Sequence, residues 1–76
     1  MKINNNSDKA ASLGSAVVKK LRNINSDILL IIFTKGKLEL EVKEIERVNV
    51  YNECMVIVFK DNNQQFINLL NITYIE

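Results

Sequence analysis

Two stretches of six residues decide the fold: residues 28–33 are Ile-Leu-Leu-Ile-Ile-Phe, and residues 54–59 are Cys-Met-Val-Ile-Val-Phe. Their β-branched and large apolar side chains favour strands. A strand with one wet face alternates apolar and polar residues, whereas a strand that is apolar throughout is covered on both faces. We therefore expect a helix on one face of the sheet. The other face requires closure into a small barrel or contact with a second molecule.

Turn residues and further strands follow these two stretches. Gly36 is expected to supply the positive φ of a hairpin turn, and Asp-Asn-Asn at residues 61–63 turns the chain again. Residues 38–43 alternate between apolar and charged side chains, which predicts a strand with one exposed face. The apolar spacing slips from two to three residues on both sides of Ile45, which indicates a bulge or sharp bend.

The N-terminal part predicts one helix. Residues 1–7 are polar and are expected to form a disordered leader, followed by a single domain over residues 8–76. Apolar residues recur at steps of three and four over residues 8–23, the period of one helix face. Gly14 costs such a helix about 1 kcal/mol relative to alanine and favours a later start.

The predicted fold class is α+β: one N-terminal helix, then a five- or six-stranded antiparallel, strongly bent sheet or small β-barrel. Short strands over residues 65–68 and 72–75, separated by a tight turn, complete it. We find no internal repeat in the sequence. The order of elements resembles that of Sm-like and SH3-like small barrels. The glycine, aspartate and asparagine residues by which Sm-like proteins bind RNA do not appear here in that arrangement.

Composition restricts how such a chain is stabilised. A domain of 76 residues buries only roughly 60% of its unfolded surface, so its stability is marginal without a further contribution. Cys54 is the only cysteine and histidine is absent, which excludes an internal disulfide and a Cys/His zinc site. No cofactor is implied. A second copy or another protein is the remaining source of stability.

Charge and hydropathy also narrow the classes of partner. The net charge is +1, whereas nucleic-acid and membrane-surface binders need dense positive charge. No apolar run approaches the roughly 20 residues of a bilayer span, and the start lacks a signal-peptide core. With its lone thiol, the chain is expected to be cytoplasmic. Asn, Ile and Lys make up 29 of the 76 residues, and their A+T-rich codons indicate a low-GC bacterium, a phage or another mobile element.

The apolar candidates for an interface come from the first strand and from two tyrosines. One alternating set of residues 28–33 should face outward, either the odd-numbered or the even-numbered residues. Phe33, Phe59 and Phe66 are placed in the core. Tyr51 and Tyr74 are expected either to anchor an interface or to be ordinary core tyrosines with the hydroxyl at the surface. The candidate interface is thus Leu29, Ile31, Phe33, Tyr51 and Tyr74, with Ile28, Leu30 and Ile32 as the alternative set.

Charged clusters offer a second kind of candidate. Glu39 and Glu41 project from one strand face beside two lysines, which predicts a self-neutralised surface or a patch that docks a basic partner. Lys19, Lys20 and Arg22 lie in the predicted last helical turn, where cations complement the helix dipole or contact phosphates. Cys54 has no histidine partner and is expected to be a small structural hydrophobe.

These features predict a non-enzymatic protein-interaction module. It would self-associate, as a dimer first, or bind a larger protein as an inhibitor or adaptor. The sequence contains no phosphate loop, no paired catalytic carboxylates and no nucleophile–base pair. The alternative is a small-barrel, Sm-like or SH3-like nucleic-acid-binding protein that uses the cationic end of its helix.

Overall fold

The structure is a computed structural model and describes residues 1–8 and 10–76. Lys9, which falls within the predicted helix, lies outside the described residues. The described residues form seven strands, one α helix and two short 3₁₀ helices. In chain order they are β1 (Lys2–Asn5), α1 (Leu13–Arg22), β2 (Ile28–Phe33), β3 (Gly36–Glu41), a 3₁₀ helix (Val42–Glu44), β4 (Ile45–Val50), β5 (Cys54–Phe59), β6 (Gln64–Asn68), a 3₁₀ helix (Leu69–Asn71) and β7 (Ile72–Ile75).

The strands form two sheets, so the α+β class is confirmed and the single sheet is not. One sheet has the order β1-β4-β5-β6, and the other has the order β3-β2-β7. Within the described residues the two sheets do not close into a barrel. The apolar spacing around Ile45 slips because a 3₁₀ helix interrupts the strand there and carries the chain from β3 into β4, in the other sheet.

The start of the chain differs from the prediction. Residues 1–7 were expected to be a disordered leader before the helix, but Lys2–Asn5 form strand β1 and pair with β4 in parallel. Ile3 packs against the core, and the side chain of Asn4 donates a hydrogen bond of 2.8 Å to that of Asn49. The strand is held by distant backbone and side-chain partners, which local polarity does not reveal.

Helix α1 is shorter than the predicted range of residues 8–23. Its cap is Ser12, whose hydroxyl accepts a hydrogen bond of 3.1 Å from the Ser15 backbone N–H. Asp8 does not begin the helix; its backbone N–H donates to the side chain of Asn52 at 3.0 Å. The helix contributes Val17, Val18 and Leu21 to the core, and its other face is exposed.

The chain from β2 to β7 consists of two units with the same order of elements, an internal repeat that the sequence pattern did not reveal. The first unit is β2, β3, the 3₁₀ helix Val42–Glu44 and β4; the second unit is β5, β6, the 3₁₀ helix Leu69–Asn71 and β7. Leu29 pairs with Leu40 in the first unit as Met55 pairs with Ile67 in the second.

Backbone hydrogen bonds repeat between the two units as well. The Val42 N–H donates to the Asp27 carbonyl at 2.9 Å, and in the second unit the Leu69 N–H donates to the Glu53 carbonyl at 2.9 Å. These bonds attach each 3₁₀ helix to the residue before its unit's first strand. The two units therefore share both their order of elements and their detailed connections.

The units exchange their last strands. β4 of the first unit pairs with β5 of the second, and β7 of the second pairs with β2 of the first. Each of these ladders has a register shift at the start of the exchanged strand, opposite Phe59 in one case and Phe33 in the other. The pairing pattern is thus preserved when the two units are interchanged, and each unit is completed by the other.

The turns between paired strands use different residues from those expected. Gly36 does not have a positive φ; among the residues that the structure describes, Asn62 is the one that does, with φ of 73°. Asparagine tolerates this left-handed conformation better than most residues. The Asp61 carboxylate accepts a hydrogen bond of 3.0 Å from the Asn63 N–H, which closes the turn between β5 and β6.

Candidate protein-binding surface

The two units differ sharply in charge. Residues 36–48 of the first unit contain seven charged side chains, whereas residues 62–75 of the second contain none. The positional equivalence of the units shows which residues take the place of the charges. Lys37, Glu39, Glu41, Lys43, Glu44, Glu46 and Arg47 correspond to Gln64, Phe66, Asn68, Leu70, Asn71, Thr73 and Tyr74.

Three of these replacements are large apolar residues on the protein's surface. Phe66 on β6 is 65% exposed, Leu70 in the 3₁₀ helix is 64% exposed, and Tyr74 on β7 is 48% exposed. We call the outer residues of this segment the neutral surface; its members are Gln64, Phe66, Asn68, Leu70, Asn71, Thr73 and Tyr74. At the corresponding positions the first unit carries Glu39, Lys43 and Arg47, the kind of side chain that water solvates well.

Phe66 was predicted to be a core residue, and this was wrong. Ile67 is the core residue of β6 and is 3% exposed, whereas the ring of Phe66 lies on the opposite face of the strand. Its cross-strand neighbour is Val56, which is half-buried. The missing signal was the uncharged run over residues 62–75, which becomes meaningful only when it is aligned with the charged first unit.

Tyr74 meets the cationic end of the helix. The Lys20 ammonium nitrogen lies 5.6 Å from the centre of the Tyr74 ring, within the range of a cation–π contact. A cavity of about 210 Å³ runs between α1 and β7, with Leu13, Val17, Ile72 and Tyr74 among its lining residues. The structure therefore brings together Lys20 and Tyr74, which were predicted as separate candidates.

The predicted apolar set of β2 divides between core and surface. Leu29 and Ile31 are completely buried, and Phe33 is half-buried against the core. The side chains of the alternative set point to the opposite face of the strand, where Ile28 is 41% exposed. Of the two sets, the alternative set of Ile28, Leu30 and Ile32 is thus the more exposed to solvent.

The remaining candidates are dispersed. Tyr51 is 42% exposed and lies beside the start of α1, where its backbone carbonyl approaches Gly14. The Glu39 carboxylate is 3.1 Å from the Lys37 ammonium, and the Glu41 carboxylate is 3.8 Å from that of Lys43. Each of the two glutamates is thus paired with one of the flanking lysines on an exposed face.

Lys19 and Arg22 are exposed on the last turns of α1. Cys54 opens β5 as a half-buried free thiol.

Nothing in the described chain gathers the donors of a metal site, since no three Cys, Asp or Glu side chains cluster. Among the described residues, no helix is long and apolar enough to cross a membrane. No protein-family model, curated protein or solved structure matches this chain. The surface chemistry of the chain itself is therefore the basis for assigning a function.

Proposed function

We propose that this protein is a non-enzymatic protein-interaction module that binds its partner, a second copy or a larger protein, through the neutral surface. The observation that carries the proposal is the replacement of charges in the first unit by Phe66, Leu70 and Tyr74 in the second. Over the equivalent residues after each unit's first turn, the first unit carries seven charges and the second carries none.

The chemistry of the neutral surface is that of an interface core. Interface cores are depleted in charged residues and enriched in aromatic ones. Tyrosine is also over-represented among the residues that dominate binding energy. Burying a large apolar side chain such as that of Phe66 or Leu70 contributes about 1.5–3 kcal/mol. Gln64 and Asn68 flank Phe66 on the same face of β6. Burial of Phe66 and Leu70 can supply much of the affinity of a small module.

The cationic helix end supports the nucleic-acid alternative less well. Lys19, Lys20 and Arg22 are exposed, but one of the three, Lys20, lies over the ring of Tyr74. With a net charge of +1, the molecule has little long-range attraction for phosphates. Retention on heparin at low salt, together with displacement by modest salt, is the behaviour that favours the alternative.

The test replaces Phe66 with lysine. We expect Phe66→Lys to fold normally, because its side chain is mostly in water in the isolated chain, and to abolish association because it places a charge in the interface. The measurement is sedimentation velocity of the pure protein at tens of micromolar, and a pulldown in which the variant is compared with the unmodified chain.

The matched control is Glu39→Lys, the same new side chain at the corresponding position of the first unit. It should leave association unchanged. Equal loss of association in both variants, or none in either, would show that the neutral surface is not the binding surface.

A further inference from the structure

Strand β6 has one free edge, and the hydrogen bonds at its two ends show which backbone groups lie on that edge. β6 is the last strand of its sheet and pairs only with β5. The Phe59 N–H donates to the Asn63 carbonyl and the Leu69 N–H donates to the Glu53 carbonyl, both at 2.9 Å. Because backbone groups alternate sides along a strand, those of residues 65 and 67 point to β5. Those of Gln64, Phe66 and Asn68 point away from the sheet, and all three residues are exposed.

The corresponding edge strand of the first unit is protected, and β6 is not. β3 carries Lys37, Glu39 and Glu41 at the positions whose backbone groups face outward. Charged side chains on an edge strand discourage pairing with another chain. β6 contains no charged residue and no proline over its five residues. An edge strand without charged residues, beside an exposed aromatic ring, is the arrangement expected of a strand that pairs with another chain.

We propose that β6 pairs antiparallel with β6 of a second copy, about a two-fold axis at Phe66, and joins the two four-stranded sheets into one. This inference rests on the proposed function and names its partner. A two-fold interface uses the same residues on both sides, so the strand must complement itself. The two Phe66 N–H and carbonyl groups bond to each other across the axis. With the flanking pairs, about six backbone hydrogen bonds form.

The side chains of β6 satisfy this requirement for self-complementarity. Phe66 lies beside Phe66 of the second copy, and aromatic cross-strand pairs are among the favourable ones. Gln64 faces Asn68 of the second copy. The Asn68 oxygen already accepts from the Leu70 N–H at 3.0 Å, so its amide N–H groups are the donors that can reach the Gln64 oxygen. The same operation on β3 would oppose Glu39 to a second Glu39, and directly opposite like charges are destabilising. A second copy therefore fits β6 and does not fit β3.

The decisive variant is Gln64→Pro. Proline removes the outward N–H of residue 64, which the isolated chain does not use within its sheet, and proline is tolerated at the first residue of an edge strand. Phe66 and Leu70 keep their side chains. We expect sedimentation equilibrium to show the dimer Kd raised by about tenfold or more, since two hydrogen bonds are lost, one from each copy, and the two carbonyls that accepted them stay unpaired.

Two controls isolate the strand pairing from other effects. Gln64→Ala removes the side chain but keeps the N–H, and Lys37→Pro makes the same backbone change on β3; both should dimerise like the unmodified chain. A monomeric unmodified chain overturns the pairing, and so does a Gln64→Pro dimer of unchanged affinity. If Phe66→Lys still abolishes association in the latter case, the proposed function stands and only the strand pairing is wrong.

Amide hydrogen exchange of the unmodified protein tests the same pairing without any substitution. The Phe66 N–H should exchange slowly at concentrations where the dimer forms and rapidly on dilution. Fast exchange of the Phe66 N–H in an assembled dimer overturns the proposal, because it leaves the edge of β6 in water.

Discussion

Glycine is needed at position 14 because the backbone of Tyr51 approaches it closely. A β-carbon at this position would lie far inside contact distance of the backbone carbonyl oxygen of Tyr51. The Gly14 N–H also donates a hydrogen bond of 2.9 Å to the Asn52 carbonyl. Helix propensity alone gives glycine here a cost of about 1 kcal/mol relative to alanine. Packing against the Tyr51–Asn52 turn outweighs that cost.

The variant Gly14→Ala should therefore be less stable than the unmodified protein, despite the better helix propensity of alanine. The obstacle is backbone rather than a flexible side chain, so α1 must shift. We expect a loss of about 1–3 kcal/mol, the usual range for overpacked sites. Urea denaturation followed by circular dichroism measures it. Ala16→Gly, at an exposed helical position, is the control: it should cost only the propensity difference, about 1 kcal/mol. A Gly14→Ala protein of higher stability would contradict the packing explanation.

At the scale of single elements, local pattern predicts most of the secondary structure. The two apolar stretches became β2 and β5 with the expected bounds, because uniform β-branched sequence favours a buried strand. The helix and the bend at Ile45 were also indicated by spacing. β1 was missed because its strand conformation depends on β4, more than forty residues away, and Ile3 is the one apolar residue in it.

The strand β1 should contribute measurably to stability through Ile3. We expect Ile3→Ser to lower the free energy of unfolding by about 1–3 kcal/mol, because a half-buried apolar side chain is lost from the edge of the core. The backbone N–H of Asn6 donates to the Val50 carbonyl at 2.6 Å, so its amide exchange should accelerate in the variant. Lys2→Ser, an exposed change on the same strand, should affect neither measurement. Identical stabilities would place β1 outside the cooperative structure.

At the scale of the whole molecule, the repeat and the neutral surface could not be predicted from the sequence pattern. The two units have different side chains at almost every outer position, and their likeness lies in the order of elements, the strand pairing and the backbone hydrogen bonds. The core could be assigned in part from apolar periodicity. The exposed face of β6 could not be assigned in this way, because Phe66 and Ile67 are adjacent, both apolar, and point to opposite faces.

The repeat predicts that equivalent core residues contribute similarly to the free energy of unfolding. Leu29 and Met55 occupy the same place in the two units, and both are completely buried. Leu29→Ala and Met55→Ala should each lower the free energy of unfolding by about 2–5 kcal/mol, the usual cost of such cavities. Chemical denaturation measures both. Leu30→Ala, on the outer side of the same strand, should cost clearly less. A large difference between Leu29→Ala and Met55→Ala would mean that the two units are not energetically equivalent.

The exchange of last strands also determines how the chain folds. The pairs β2–β3, β4–β5 and β5–β6 join strands that are neighbours in sequence and can form early. The pairing of β2 with β7 is different, because it joins Ile31 to Ile75 near the end of the chain. A pairing this distant has a higher entropic cost of loop closure. We therefore expect the β2–β7 ladder to form last, and the three-stranded sheet to be complete only when the end of the chain has docked beside β2.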